Sequence, residues 1–127
     1  MDLKGKHKNE LARLLKSFSY AANGLMHAIY KEHNLRIHLV LSVIVISLGF
    51  YFNISRMEWS VIIILIGGML SLELMNTAVE RVVDLVTKEY HPLAKMAKDI
   101  SAAAVLLFAI ASIIIGIIIF SGYLDIL

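Results

Sequence analysis

The sequence predicts an all-α integral membrane protein with three transmembrane helices and an N-terminal amphipathic helix lying on the membrane surface. Three observations carry that expectation. The 127-residue chain is 59% hydrophobic with a mean hydropathy of +0.78, an apolar share that a soluble domain of this size has no core to hide. Its apolar residues gather into three runs, 37–52, 59–72 and 100–124. Its charge is segregated: seven Lys/Arg fall in the first 36 residues and four more in 81–98, with only Arg56 elsewhere.

The chain reads as one membrane domain, 1–127, free of repeats and low-complexity linkers. Over 9–31, Leu11, Leu14, Leu15, Phe18, Leu25 and Ile29 recur at helical spacing between Glu10, Arg13, Lys16 and Asn23. Such a stripe also suits a soluble helix packed on a core. With no soluble core available, a helix on the inner membrane surface is the better reading. The first thirty residues are too polar for a signal peptide, so the mature chain is expected to start near Met1. A span needs about 20 apolar residues, so the first run must borrow from "HNLR" and become 35–52. The second must continue past Leu72, as part of a helix over 57–86, and the third fits within 98–124. Pro92, the only proline, breaks the chain between the second and third helices. Basic residues beside spans stay cytoplasmic. A multi-pass protein of the cell membrane follows, with the N-terminus and the 87–97 loop inside, and "NISRMEWS" and "YLDIL" outside. Tyr51, Trp59 and Tyr123 suit an outer aromatic belt.

Carboxylates enter the second helix while it is still in the membrane. At about 100° per residue, Glu73, Asn76, Glu80 and Asp84 fall within roughly 80° of one another and form one polar stripe. With a helix start near Met57 and a rise of about 1.5 Å per residue, Glu73 lies inside the cytoplasmic leaflet, Glu80 at its interface and Asp84 in water. Asp84 and Glu89 read readily as solvated charges at a helix end. Glu73 does not, because an intramembrane carboxylate costs several kcal/mol unless it faces a partner or a wet cavity.

Glu80 is a candidate ligand for Mg²⁺, with Asn76 one turn away as support and Glu32 of "YKEHNLR" as a further carboxylate. Mg²⁺ is commonly shared between one or two carboxylates and nucleotide phosphates. The loop "KEYHPLAKMAKD" supplies Lys88, Tyr90, His91, Lys95, Lys98 and Asp99. Lys88 and Lys95 also read as ordinary cytoplasmic charges, whereas Lys98 and Asp99 directly precede the third apolar run and should lie beside the stripe. Five histidines without a single cysteine make no transition-metal cluster, and disulfide or thiolate chemistry is excluded. No Gly-rich phosphate loop is present.

The stretch "ELMNTAVERVVDLVTKEYHPLAKMAKDISAAAVLL" closely resembles the signature of the small prokaryotic membrane lipid kinases, the family of diacylglycerol and undecaprenol kinases; "SYAANGLMHAIYKEHNLRIH" extends the likeness more weakly. That resemblance implies a homotrimer with active sites between neighbouring chains, and an ATP-dependent enzyme that uses Mg²⁺ to phosphorylate a lipid hydroxyl at the cytoplasmic interface. Carried over by position, Glu73 would be the general base and Glu32 and Glu80 the metal ligands, with Asn76 and Asp84 in support. Arg13, Tyr20, Glu32, Glu80, Glu89, Tyr90, His91, Lys98 and Asp99 would bind ATP. Ala21, Ala22, Leu25, Leu35, Arg36 and Ala102 would meet the lipid. The chain departs from the diacylglycerol kinase pattern at His38, where an acidic residue is usual, and at Ala21, Ala22 and Asn23, which replace a more polar triplet. The "RIH" form favours undecaprenol as acceptor, giving undecaprenyl phosphate, over diacylglycerol, giving phosphatidic acid. Nucleic acid is not among the expected partners.

A small transporter would also bury a carboxylate, but its polar residues would be spread through the membrane, whereas here they crowd toward one face. A purely structural subunit would need no intramembrane carboxylate. Gly67 with Ser71 and Ser112 with Gly116, small residues four apart, are expected at helix–helix contacts of the oligomer.

Overall fold

The computed structural model describes residues 3–125, with side chains from His7 onward. It contains four helices: α1 (Leu3–Lys31), α2 (His33–Phe52), α3 (Arg56–Val86) and α4 (Pro92–Leu124). The last three are each long and apolar enough to cross a membrane, so the expectation of an all-α chain with three helices of spanning length is met. Packing divides the chain into two units, residues 1–33 and 34–127.

In the first unit α1 is a single helix. Leu11, Leu14, Leu15 and Phe18 are all exposed along it, while Ala28 near its end is buried. In the second unit the principal seam runs between α3 and α4. Gly68 makes that seam close. A Cβ built on it would lie 2.5 Å from Cζ of Phe108, whereas one built on Gly67 would meet nothing within 4 Å. The missing side chain at 68 is thus the space that the Phe108 ring occupies.

The turn between α2 and α3 is built by its own backbone. Asn53 takes a left-handed conformation (φ 50), which asparagine tolerates better than most residues. Its N–H bonds the carbonyl of Phe50 at 3.2 Å and that of Ile54 bonds Gly49 at 3.2 Å, the paired bonds of a Schellman C-cap. Ser55 then caps α3: its hydroxyl accepts from the Glu58 N–H, and the Glu58 carboxylate accepts from the Ser55 N–H at 2.8 Å, a capping box. Tyr123 of α4 donates its hydroxyl to the same carboxylate. Phe52 packs against Phe120 and Tyr123 with ring centroids 6.0 and 5.8 Å apart, and Trp59 packs against Phe50 at 4.8 Å. One end of the three-helix unit is therefore tied by aromatic contacts and a shared carboxylate.

Overpacking a close helical contact costs about 1–3 kcal/mol. Gly68→Leu should accordingly lower the thermal midpoint in detergent micelles. Adding Phe108→Ala to the same chain should recover part of the loss, since it vacates the space in conflict. An unchanged midpoint for Gly68→Leu would show that the seam is not close at this position.

Candidate functional site

One face of α3 turns inward. Ile62, Met69, Glu73 and Thr77 are its buried residues, and their spacing of seven, four and four keeps them in line on one side of a helix. The line is apolar as far as Met69 and polar from Glu73. Glu73 is only 5% exposed, inside an element that reads as membrane-spanning.

The side chain set against it comes from α2. His38 Nε2 lies 3.2 Å from Glu73 Oε1, and the imidazole is itself largely buried. One turn further along α2, Ser42 donates its hydroxyl to the His38 carbonyl at 2.7 Å. On the Glu73 face, Asn76 Oδ1 is buried and accepts no hydrogen bond from any described residue. Glu80 and Asp84 follow, half-buried. Lys98 Nζ of α4 reaches Asp84 Oδ1 at 2.6 Å. The stripe thus begins at a buried carboxylate paired with histidine and ends at an open carboxylate paired with lysine.

The α3–α4 loop is ordered by short side-chain contacts. Thr87 Oγ1 accepts from the Glu89 N–H at 3.2 Å. His91 caps α4, its Nδ1 accepting from the Leu93 N–H at 3.1 Å, with Pro92 in the first turn. These turns gather Asp84, Lys88, Glu89, Tyr90, His91 and Lys98 around a concavity of about 350 Å³. Four of the expected nucleotide contacts, Glu89, Tyr90, His91 and Lys98, therefore share one hollow. Asp99 turns instead to Lys95, one turn before it on α4, and both are mostly exposed.

The remaining candidates are more dispersed. Arg13, Tyr20, Ala21, Ala22 and Leu25 are exposed on α1, and Glu32 sits at the break between α1 and α2, its N–H donating to the Ala28 carbonyl at 2.8 Å. Leu35 is 1% exposed, Arg36 is exposed beside it, and Ala102 is exposed on α4. Among the described residues no group of three or more His, Asp and Glu side chains could hold a metal ion. The donor chemistry nevertheless fits Mg²⁺ shared with a nucleotide: Glu80 and the unpartnered Asn76 oxygen are hard donors one turn apart.

A second hollow, of about 310 Å³, lies between α2, α3 and α4. Leu41, Val45, Ile62, Met69, Ile113 and Phe120 line it, and His38 is its one ionisable side chain. In the sequence His38 reads as a departure from the diacylglycerol kinase pattern and as part of the "RIH" form, with no partner for Glu73 implied. The overlooked signal was an ionisable residue within an apolar helix.

The sequence model of the family described as prokaryotic diacylglycerol kinase matches residues 19–120. The chain belongs to the prokaryotic diacylglycerol kinase family. It is 49% identical over 114 residues to the undecaprenol kinase of Bacillus subtilis, covering 90% of this chain and 93% of the relative. It is 44% identical over 104 residues to a diacylglycerol kinase of Synechocystis, covering 81% of this chain and 59% of that one. Identity to the diacylglycerol kinase of Escherichia coli is 29% over 102 residues, covering 80% and 84%. The stretch matched to the diacylglycerol kinase family holds every candidate residue except Arg13, which precedes it. It also holds His38.

Because an amide is easier to bury than a carboxylate and can still accept from His38, Glu73→Gln should retain the fold. Its thermal midpoint in micelles should equal or exceed that of the unsubstituted protein. A lower midpoint would mean that the negative charge itself holds α2 against α3.

Proposed function

We propose that this kinase transfers the γ-phosphoryl group of ATP to the hydroxyl of undecaprenol, giving undecaprenyl phosphate. The observation that carries the chemistry is the buried carboxylate of Glu73, set against His38 at the head of a polar stripe on a membrane-crossing helix. The choice of lipid is supported by 49% identity, over nearly the whole of both chains, to an undecaprenol kinase. Diacylglycerol remains a second reading because a 44% identical relative bears that name.

In this reading Glu73 is the general base. The lipid hydroxyl oxygen bonds to the γ-phosphorus, its proton passes to the Glu73 carboxylate, and the bond between the γ-phosphorus and the bridging oxygen of the departing ADP breaks. Such transfers demand positioning and neutralisation of phosphate charge more than covalent work by the protein. Arg13, Tyr20, Glu89, Tyr90, His91, Lys98 and Asp99 bind ATP, with Lys98 placing its cation against phosphate. Asp84 steadies that cation from 2.6 Å away. Glu80 and Glu32 would hold Mg²⁺, with the Asn76 oxygen in support, and the chemistry supplied there would be neutralisation of phosphate charge. Ala21, Ala22, Leu25, Leu35, Arg36 and Ala102 face the lipid. Their side chains, Arg36 apart, offer an ester carbonyl no hydrogen bond, which suits a polyprenol better than a diacylglycerol.

The working enzyme is a homotrimer with sites shared between chains. Gly67, open on the surface of α3, allows close approach by a neighbour. The N-terminus and the α3–α4 loop face the cytoplasm, where ATP is, the C-terminus lies outside, and α1 rests on the inner membrane surface.

Phosphate transfer from radiolabelled ATP to undecaprenol and to diacylglycerol in matched micelles tests both parts of the reading. Removal of a general base costs about 10²- to 10⁴-fold, so Glu73→Gln should lose that much rate with either lipid. Near-normal transfer by that variant would overturn the base assignment. An unpaired ester carbonyl costs about 1–3 kcal/mol, so kcat/KM for undecaprenol should exceed that for diacylglycerol by about tenfold or more. The reverse preference would move the assignment to the second reading. Separately, Glu32→Ala and Glu80→Ala should each raise the Mg²⁺ concentration needed for half-maximal ATP binding; unchanged titrations in both would leave them as solvated charges.

A further inference from the structure

We infer that His38 is a positioning residue for the phosphoryl-transfer step: its imidazole holds one oxygen of the Glu73 carboxylate so that the other is presented to the acceptor hydroxyl. The inference rests on the reading of Glu73 as general base and assigns to that base a partner on a different helix.

The geometry is specific. His38 Nε2 and Glu73 Oε1 are 3.2 Å apart, within reach of an N–H donor to a carboxylate oxygen. Both groups sit on the interiors of long helices, α2 and α3, so neither position drifts as a loop residue would. The Glu73 side chain is 6% exposed and that of His38 22%, which leaves little water to take over the contact. An isolated carboxylate in such surroundings would rotate among acceptable orientations. An N–H directed at one oxygen removes that freedom. Imidazole can supply that N–H either as the neutral tautomer protonated at Nε2 or as imidazolium, so the contact does not require a particular charge on His38.

His38 also lines the apolar hollow between α2, α3 and α4, where the only other polar side chains are two serines. A histidine in that place has two other possible roles. One is metal ligation, for which the described residues provide no cluster. The other is direct contact with lipid, which a kinetic separation distinguishes from positioning. A residue that works through Glu73 matters only while Glu73 can act as a base. A residue that touches lipid matters regardless.

The experiment is a double-mutant cycle in micelles with undecaprenol and ATP, measuring kcat and both KM values for His38→Met, His38→Gln, Glu73→Gln and the His38→Met, Glu73→Gln double variant. Methionine keeps bulk and apolar character without a donor, while glutamine keeps an N–H at similar reach. Misplacement of a reacting group by about 1 Å can cost on the order of 10²-fold. His38→Met is therefore expected to lower kcat by roughly 10- to 100-fold with both KM values within about twofold, and His38→Gln to restore most of the loss. In the Glu73→Gln background His38→Met should add less than about twofold, because coupled residues are not additive. Overturning outcomes are a wild-type kcat for His38→Met, a loss confined to KM for the lipid, or full additivity in the cycle. If Glu73→Gln alone retains normal transfer, the base assignment falls and His38 positioning falls with it; if Glu73→Gln is inactive and His38→Met is normal, only the positioning falls. Should His38→Met not fold, His38→Leu, which also lacks a donor, takes its place in the cycle, with the same supporting and overturning outcomes.

Discussion

Burial of one carboxylate sets the terms for the rest of this molecule. Glu73 lies on the inward face of a helix that otherwise buries Ile62 and Met69 there, and a charge in that position is costly unless something compensates it. The compensation is drawn from elsewhere in the chain, since the imidazole of His38 comes from α2. Two helices that are each apolar enough to lie independently in a bilayer are thereby given a fixed register. A purely aliphatic seam would tolerate sliding by a turn; a buried polar contact does not, because sliding would strand both groups without a partner.

The opposite end of the same unit resists movement differently. Glu58 closes the capping box with Ser55 and accepts the Tyr123 hydroxyl, while Phe52 packs on Phe120 and Tyr123. These contacts join the ends of α2, α3 and α4 without placing an uncompensated charge among them. Between the two ends, Gly68 receives the Phe108 ring and holds α4 close to α3. The Lys98–Asp84 contact therefore arises at the loop end of a seam already fixed in register. A half-exposed ion pair on its own contributes little to stability, about 0–1 kcal/mol; its value lies in where it holds a cation.

Much of this was legible in the sequence because it depends on local pattern. Apolar run length gave three helices long enough to span, and Pro92 marked the break before the last one, which starts at Pro92 itself and not at 98 where the charged residues gave way to the apolar run. Angular spacing placed Glu73, Asn76, Glu80 and Asp84 on a common face, and the family signature followed from the same residues, as the match over 19–120 bears out. The contacts that escaped are those between distant positions. Nothing in the spacing of residues around His38 says that it meets Glu73, 35 positions later, since helix pairing and rotation decide that. Tyr123 looked like an interfacial anchor and is also the hydroxyl donor to Glu58. Gly67 and Gly68 are adjacent and identical in type, yet only Gly68 lies against a ring. Lys98 and Asp99, read as a pair beside the stripe, turn to different partners, Asp84 and Lys95. Neighbouring residues on a helix point about 100° apart, which is enough to separate their roles.

The same helical arithmetic bears on how a small membrane chain without a phosphate-binding loop could bring together a lipid and a nucleotide. From Glu73 to Glu80 is about 10 Å along α3, and to Asp84 about 16 Å, at 1.5 Å per residue. On the proposed reading that interval is the distance between the depth of a lipid hydroxyl and the aqueous edge from which ATP arrives. A single helix then serves as a ruler, with a desolvated base at one end and charge-bearing groups near the other. On the same reading, the burial that makes Glu73 expensive would keep water, a competing acceptor for the phosphoryl group, away from the proposed base. Exposure of Asp84 and Lys98, half open to solvent, would let a highly charged nucleotide enter and ADP leave without desolvating a closed pocket. Moving Glu73 one turn toward the loop would relieve its burial and give up that exclusion of water, so the cost of the buried carboxylate and its usefulness have a common origin.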